Sequence, residues 1–239
     1  MTLGFLTYGI TALALLLLCA TGPLYRIGLL SLASAFAVLR WGVYVGIAAM
    51  ALSLVAGGLA YRRGERLGVL LAGAAFIVGL VAVGIPLQWV WAGRGLPPIH
   101  DLTTDLENPP MFVAVIPLRA DAPNSLDRPP ILADQQRRGY PDLAPVTLPA
   151  PPAEVFDQAL SAAQDLGWRI VTADKSGGRI EATDTTRWFG FEDDVVVRLT
   201  AWGSGTRIDV RSVSRVGTGD AGTNARRIRR YLDRLAGSS

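Results

Sequence analysis

The chain has 239 residues, enough for one or two domains, and a mean hydropathy of +0.33, high for a soluble protein. Its net charge of +3 is unevenly held: residues 1–91 carry five arginines against one glutamate, whereas residues 92–239 carry 18 basic and 19 acidic side chains, a net −1. The pI of 9.3 therefore belongs to the apolar part, and the polar part lacks the basic surface that nucleic-acid binding needs.

Three uncharged runs open the chain: Leu3–Ala20 with 18 residues, Trp41–Ala60 with 20, and Leu67–Trp91 with 25, the last interrupted only by Pro86. Each is long enough to cross a hydrocarbon core of about 30 Å. Three such runs within ninety residues are hard to bury in a soluble fold, so residues 1–91 read as a membrane anchor of three transmembrane helices, the first ending before Gly22-Pro23. Leu24–Leu39 is ambiguous. Only 13 residues separate Arg26 from Arg40, short of a full span, so this stretch lies in the interface, extends the second helix, or adds a span that flips the first segment.

Tyr61–Arg66 (YRRGER) holds three arginines in six residues, and the positive-inside rule puts such a loop in the cytoplasm. Everything after Trp91 then lies on the far side, which for a multi-pass protein of a bacterial inner (plasma) membrane is the periplasm or cell exterior. Trp41, Trp89 and Trp91 suit the aromatic belt at a membrane interface. The first run has no basic flank and two more spans follow it, which is not the form of a signal peptide. Leu16-Leu17-Leu18-Cys19 hints at a lipoprotein cleavage site, but Leu18 is bulky where a small residue is wanted. Cys19 is the only cysteine, so neither an intramolecular disulfide nor a cysteine-based metal site is possible.

Residues 93–152 contain 13 of the 15 prolines, and proline resists both helix and central strand. The apolar run Met111–Ile116 and the pair Ile131-Leu132 favour a segment over 92–143 that wraps the following domain, rather than a disordered linker. Asp134–Arg138 reads as a short helical turn.

From 144 to 239 the pattern is regular. Val146–Leu148 is a short strand. Ala153–Leu166 is an amphipathic helix with Val155, Phe156, Ala159, Leu160, Ala163 and Leu166 on one stripe, ended by Gly167. Strands follow at Trp168–Thr172, Arg179–Thr185, Asp194–Trp202 and Thr206–Val213, with turns at Ser176-Gly177-Gly178 and Gly203-Ser204-Gly205. A last helix over Ala221–Leu235 buries Ala225, Ile228, Leu232 and Leu235. Strand, helix, four-strand meander and helix predict an α+β fold: transmembrane helices followed by an antiparallel-sheet domain with helices packed on one face.

Alternation sorts the last two strands into faces. Val195, Val197, Leu199, Ala201, Ile208 and Val210 should lie under the helices. Opposite them stand Arg198, Thr200 and Trp202 from one strand and Arg207, Asp209, Arg211 and Arg215 from the next, joined by Glu181 and Thr183. Arginine suits bidentate capture of carboxylate or phosphate, so Arg198, Arg211, Arg215 and Asp209 are candidate ligand-binding residues. A solvated face of cross-strand ion pairs and a docking face for the proline-rich segment are the other readings. Asp193 and Asp194 can pair with these arginines, but neighbours on a strand point to opposite faces and make a poor catalytic pair.

His100 is the only histidine. With Asp101 and Asp105 it can begin a metal site only if further ligands arrive from elsewhere, and it can act as a general base; hydrogen-bonded structure or ligand contact, with Asp101, is the simpler expectation, and no metal or cofactor is expected. No nucleophile elbow, phosphate-binding glycine loop or HExxH occurs. The last helix's N-terminus, after Gly217-Thr218-Gly219, can bind an anion, although Asp220 is a natural cap for it. Trp188-Phe189-Gly190-Phe191, between two strands, either plugs one end of the core, lines an apolar pocket or touches the bilayer, which makes Trp188 and Phe191 candidate contacts. Arg226, Arg227, Arg229, Arg230 and Arg234 on the last helix face only Asp233 within it and can meet anionic lipid.

The stretches IHDLTTDLENPP (99–110), RRGYPDL (137–143), EATDTTRWFGFEDDVVVR (181–198) and DVRSVSRVGTGDAGTNARRI (209–228) resemble the bacterial membrane proteins of the domain-of-unknown-function family 1499. The resemblance covers roughly Ile99–Leu235 and implies that the segments at His100 and Trp188 belong to one unit. It implies no catalytic residues. The residues thus point to a membrane-anchored cell-envelope protein of uncharacterised function, whose periplasmic domain binds a polar, anionic or lipid ligand or an envelope protein, with membrane lipids as partners and no nucleic acid. The alternative is an envelope hydrolase using His100 and nearby carboxylates.

Overall fold

Small residues decide how the apolar runs pack. In the computed structural model, which describes residues 2–237, they form helices α1 (Thr2–Arg26), α2 (Leu32–Arg62) and α3 (Arg66–Ala92). The buried face of α2 is Ala35, Gly42, Gly46, Ala49, Ser53 and Ala60, and that of α3 is Ala72, Ala75, Gly79, Ala82 and Val83. A Cβ added to Gly46 would sit 2.7 Å from Val83, one on Gly79 2.7 Å from Met50, and one on Gly42 2.9 Å from Leu18. Close backbone approach across small residues is how helices associate where no hydrophobic force separates protein from lipid. Large apolar side chains such as Phe5, Leu16, Leu54, Leu70 and Ile77 face outward, and all three helices are long and apolar enough to cross a membrane.

The helix bounds differ from expectation at one point. α1 continues through Gly22 and Pro23 to Arg26, since in an apolar setting losing one donor costs less than exposing a whole turn of backbone. Leu24–Leu39 is therefore divided: its first residues finish α1, a turn follows, and Ser31 caps α2 by accepting from Ser34 N at 3.1 Å. Residues 32–39 extend the second helix and add no fourth span.

Arg187–Gly190 group with the helices, while the rest of the chain from Gly93 forms a second unit. Its strands are β1 (Asp101–Thr103), β2 (Val146–Leu148), β3 (Arg169–Asp174), β4 (Arg179–Thr185), β5 (Glu192–Trp202) and β6 (Gly205–Ser214). All pair antiparallel in the order β1-β6-β5-β4-β3, with β2 also on β6. Three helices accompany them: α4 (Ile131–Gly139), α5 (Pro152–Asp165) and α6 (Thr223–Ala236). The fold is α+β, three long apolar helices followed by an antiparallel sheet with helices. Val195, Val197, Leu199, Ile208 and Val210 share one core with Val155, Phe156 and Ala159 of α5 and Ala225, Ile228 and Tyr231 of α6. Tyr231 stacks on Trp168 with centroids 5.0 Å apart and donates to the Ala159 carbonyl at 2.9 Å, which ties α6 to α5. Ala201 is exposed instead, because it lies near the end of β5, beyond the helical cover.

Strand β1 is too short to be seen as alternation, and its edge is closed by a side chain. Gln136 of α4 accepts from Thr103 N at 3.1 Å and donates to Thr103 O, completing backbone bonds that a further strand would make. On the sheet face away from α5 and α6, Phe112 and Val115 pack against Val196 and Val213. They are held there by the buried carboxylate of Glu181, which accepts from the backbone N–H of Val113 and of Val115, each at 2.9 Å. Replacing Glu181 by Ala should orphan two amides at a cost of about 1–3 kcal/mol each. Hydrogen exchange should then speed up at Val113 and Val115 while the β5–β6 amides stay protected; equal exchange in both proteins would contradict this role.

Candidate functional site

The polar face of the sheet is the densest cluster of charge in the second unit. It is built from three groups, each centred on a carboxylate that strand geometry forces inward. Asp194 on β5 is fully buried and receives Arg119 at 2.5 Å, Arg215 at 2.9 Å and the Thr183 hydroxyl at 2.7 Å. Arg215 also pairs with Glu192. Burial acts to raise the Asp194 pKa, but the hydrogen bonds from Arg215, Thr183 and Arg119 outweigh it and hold the carboxyl below its ordinary value.

Asp101 on β1 forms the second group. It meets Arg211 of β6 at 2.9 Å and Arg128 at 2.9 Å. Arg211, only 2% exposed, also donates to the carbonyls of Pro110 and Leu126 and lies 5.3 Å from the Phe112 ring centroid. Five donors on a planar fork make arginine able to meet all of these at once. The third group is more open: Arg198 and Arg207 both bond Asp209 and Asp105, with side chains 24% and 26% exposed, and Arg207 lies 5.6 Å from the Trp202 ring. The hydrogen bond to Asp209 raises the Arg207 pKa, with burial opposing it.

Residues 101–128 thus supply Asp101, Asp105 and Arg119 to partners on β5 and β6, while Arg128 of the same segment joins Arg211 on Asp101. Arg198, Arg211, Arg215, Asp209 and Asp101 are brought together on it. His100 joins through its backbone carbonyl, which accepts from Ser214 N at 2.9 Å and Asn224 Nδ2 at 3.0 Å. No group of three or more His, Cys, Asp or Glu among the described residues is placed to hold a metal ion.

Trp188 groups with the helices and Phe191 with the sheet. Within the helical unit, a Cβ on Gly22 would lie 2.6 Å from the Trp188 ring. Phe189 is 5.8 Å from Tyr25 and 5.9 Å from Phe36 between centroids, and Arg26 donates to the Arg187 carbonyl at 2.9 Å. The Trp188-Phe189 pair packs within the helical unit. It makes an aromatic cluster with the C-terminal end of α1 and the N-terminal end of α2.

The behaviour of α6 depends on residues that spacing does not reveal. Arg227 turns inward to Asp193 at 2.5 Å and Asp184 at 2.8 Å, Arg229 binds Asp142, and Arg234 binds Asp165. The N-cap of α6 is Gly222 at φ 76° and not Asp220, which lies two residues before it and accepts from Gly222 N at 2.9 Å and Asn224 N at 2.5 Å, while burial pushes its pKa up. Asn224 is fully buried between Ser212, Ser214 and the His100 carbonyl. Arg119, Arg128, Gln136, Asn224 and Arg227 are central here, and none carries a periodic or motif signal.

A family model described as a protein of unknown function (DUF1499) matches residues 101–235. No curated protein matches the chain. The matched residues include every partner in the three ion-pair groups and none of the three apolar helices.

Asp194→Ala would leave Arg119 and Arg215 without their buried partner, an effect of about 3–5 kcal/mol. Denaturant unfolding should register that loss. Because the folded pKa of Asp194 lies below its unfolded one, its stabilisation is present above the ordinary carboxylate pKa of about 4 and fades as pH falls through the lower folded value. The wild type should lose stability on acidification below about pH 4, and the variant should lose less of it; parallel pH profiles would contradict the assignment.

Proposed function

The chain belongs to the DUF1499 family, and for this member we propose a non-catalytic role at a bacterial inner membrane, with the domain from Gly93 onward on the periplasmic side and lipid as its partner. The observation that carries the reading is the turn Arg187–Gly190. Short links of five and three residues between the helices, 27–31 and 63–65, make them run up, down and up, so 27–31 and Ala92 lie at one end of the bundle. Trp188 and Phe189 sit at that same end, against Gly22, Tyr25 and Phe36. Aromatic side chains gathered at helix ends, beside an arginine such as Arg26, are the pattern of a membrane–water interface.

The other end carries Arg62, Arg63 and Arg66, which supports placing it in the cytoplasm. The polar face supports the non-catalytic reading. The carboxylate beside His100, Asp101, is 1% exposed and committed to Arg211 and Arg128, which leaves it unsuited to assist a general base. Arg211 and Arg215 are likewise matched by the chain's own carboxylates, so an anionic ligand would have to displace Asp101 or Asp194. Lipid, met at the aromatic end of the bundle, needs no such exchange.

Sidedness is tested by single cysteines in a Cys19→Ser background. A membrane-impermeant maleimide should label Ser125→Cys in intact spheroplasts and Glu65→Cys only after lysis; the reverse pattern would overturn the periplasmic placement. Lipid contact is tested by brominated phospholipid in proteoliposomes. Trp188→Phe should lose a quenched component of the emission, and unchanged quenching would remove the lipid reading.

A further inference from the structure

The two edges of the sheet are finished differently. The β1 edge is closed by Gln136, whereas β3 ends the strand order on the other side. An edge strand turns a row of backbone N–H and C=O groups outward, ready to pair with a further strand. Among the described residues, no hydrogen bond outside the β3–β4 ladder reaches the backbone of Arg169–Asp174. No residue of β3 is fully buried, and Arg169 and Ala173 are exposed.

A bulge gives this edge an internal symmetry. Residues directly paired across a ladder share a face of the sheet. Arg169 pairs with Thr183, Thr172 with Glu181 and Asp174 with Arg179, while Ile170 pairs with Ala182 and Ala173 with Ile180. Ala182 and Ile180 belong to the core beneath α5 and α6, whereas Thr183 and Glu181 bond Asp194 and the Val113 and Val115 amides on the polar face. The register shifts by one residue at Val171, which packs with Phe112, Val115, Val196 and Val213 on that same polar face. From Arg169 to Asp174 the faces therefore run polar, helical, polar, polar, helical, polar, the same in either direction. In an unbulged strand Arg169 and Asp174 would point to opposite faces.

We propose that β3 pairs antiparallel with β3 of a second copy of this chain across a two-fold axis, with Arg169 of one copy opposite Asp174 of the other. Each residue then meets one on its own face: Arg169 meets Asp174, Ile170 meets Ala173 and Val171 meets Thr172, every pair being made twice. A slip of one residue would set Ile170 against Thr172, on the wrong face, and would break both charge pairs. Opposite charges in direct cross-strand register favour association, and the two-fold keeps like charges at opposite ends of the joint. The Arg169 and Asp174 side chains are 55% and 37% exposed, and their present partners are Glu192 at 3.2 Å and Arg179 at 3.8 Å. Five donors on its fork let Arg169 keep Glu192 and take a second acid. An unrelated peptide would gain the backbone bonds alone, whereas the palindrome of faces and charges selects this strand itself, as a closed two-fold contact requires.

The test uses the full chain with Cys19→Ser, carrying a donor or an acceptor dye on Ser125→Cys, co-reconstituted in phosphatidylcholine vesicles over a range of lipid dilutions. Energy transfer should exceed that of randomly placed chains. Arg169→Asp alone and Asp174→Arg alone should each weaken association about tenfold, since both attractive pairs become repulsive. An equal mixture of the two variants should restore it, because in the mixed pair every acidic position again faces an arginine. Asp174 also accepts from Gly177 N at 2.9 Å in the following turn, so near-ultraviolet circular dichroism must match the wild type in each variant. A second measurement needs no charge reversal: spin labels on Thr172→Cys, next to the two-fold axis, should report a shorter copy-to-copy distance than labels on Lys175→Cys. A wild type at the random level would overturn the proposal, whatever else binds the edge. So would reversals that leave transfer unchanged, a mixture of folded variants no better than its components, or distances that do not lengthen from 172 to 175.

Discussion

Arginines placed on the inner side of a sheet face must be paired, and this requirement organises the second unit. Strand alternation puts Arg198, Arg207, Arg211 and Arg215 on the face away from α5 and α6. β6 and β5 lie inside the sheet, so a segment laid over them removes Arg211 and most of Arg215 from water and covers Arg198 and Arg207 in part. An unpaired buried charge is far costlier than a paired one. The carboxylates Asp101, Asp105, Asp194 and Asp209 satisfy the face, and two of the four arrive on residues 101–128. The same segment returns Arg119 to Asp194 of β5, and its Arg128 shares Asp101 with Arg211. Such an exchange in both directions fixes the register of an irregular, proline-rich chain that has few backbone bonds of its own.

The two faces of the sheet therefore work by different physics. One is sealed by apolar helices, through Val195, Val197, Ile208 and Tyr231. The other is sealed by ion pairs around a small apolar patch, Phe112 and Val115 on Val196 and Val213. Covering the second face with a pinned, irregular segment leaves some of that segment's side chains exposed. Four of them, Met111, Val113, Ile116 and Leu118, are large and apolar. The helical unit has its own solution, in which Gly42, Gly46 and Gly79 admit close neighbours.

Much of this was readable from residue order. Runs free of charge marked the three helices, and period-two alternation separated Val195 and Val197 from Arg198 and Asp209, because both signals depend on local spacing alone. The fate of Leu24–Leu39 was not readable, since length excludes a span but does not say where a turn falls; Ser31 decided that by capping α2. β1 was missed because three residues cannot display a period, and its pairing to β6 depends on Gln136 at its edge. Arg119 and Asp194 are 75 residues apart, and Asp101 and Arg211 are 110 apart, so no motif links them. Trp188 and Phe191 looked like one cluster in the sequence; Gly190, at φ +71°, sits in the turn between them, and they fall in different units.

The central claim is that the arginine face is energetically completed by the chain's own residues 101–128. A double-mutant cycle on Asp101 and Arg211 tests it most directly, using Asp101→Leu, Arg211→Met and the pair, with denaturant unfolding as the readout. Asp101→Leu leaves two buried arginines, Arg211 and Arg128, without their carboxylate and should cost about 3–5 kcal/mol; Arg211→Met leaves Asp101 to Arg128 alone, and the double change, in which only Arg128 loses its acid, should cost well below the sum of the two. A cycle in which the two losses simply add would show that these groups are not coupled, and would contradict the account.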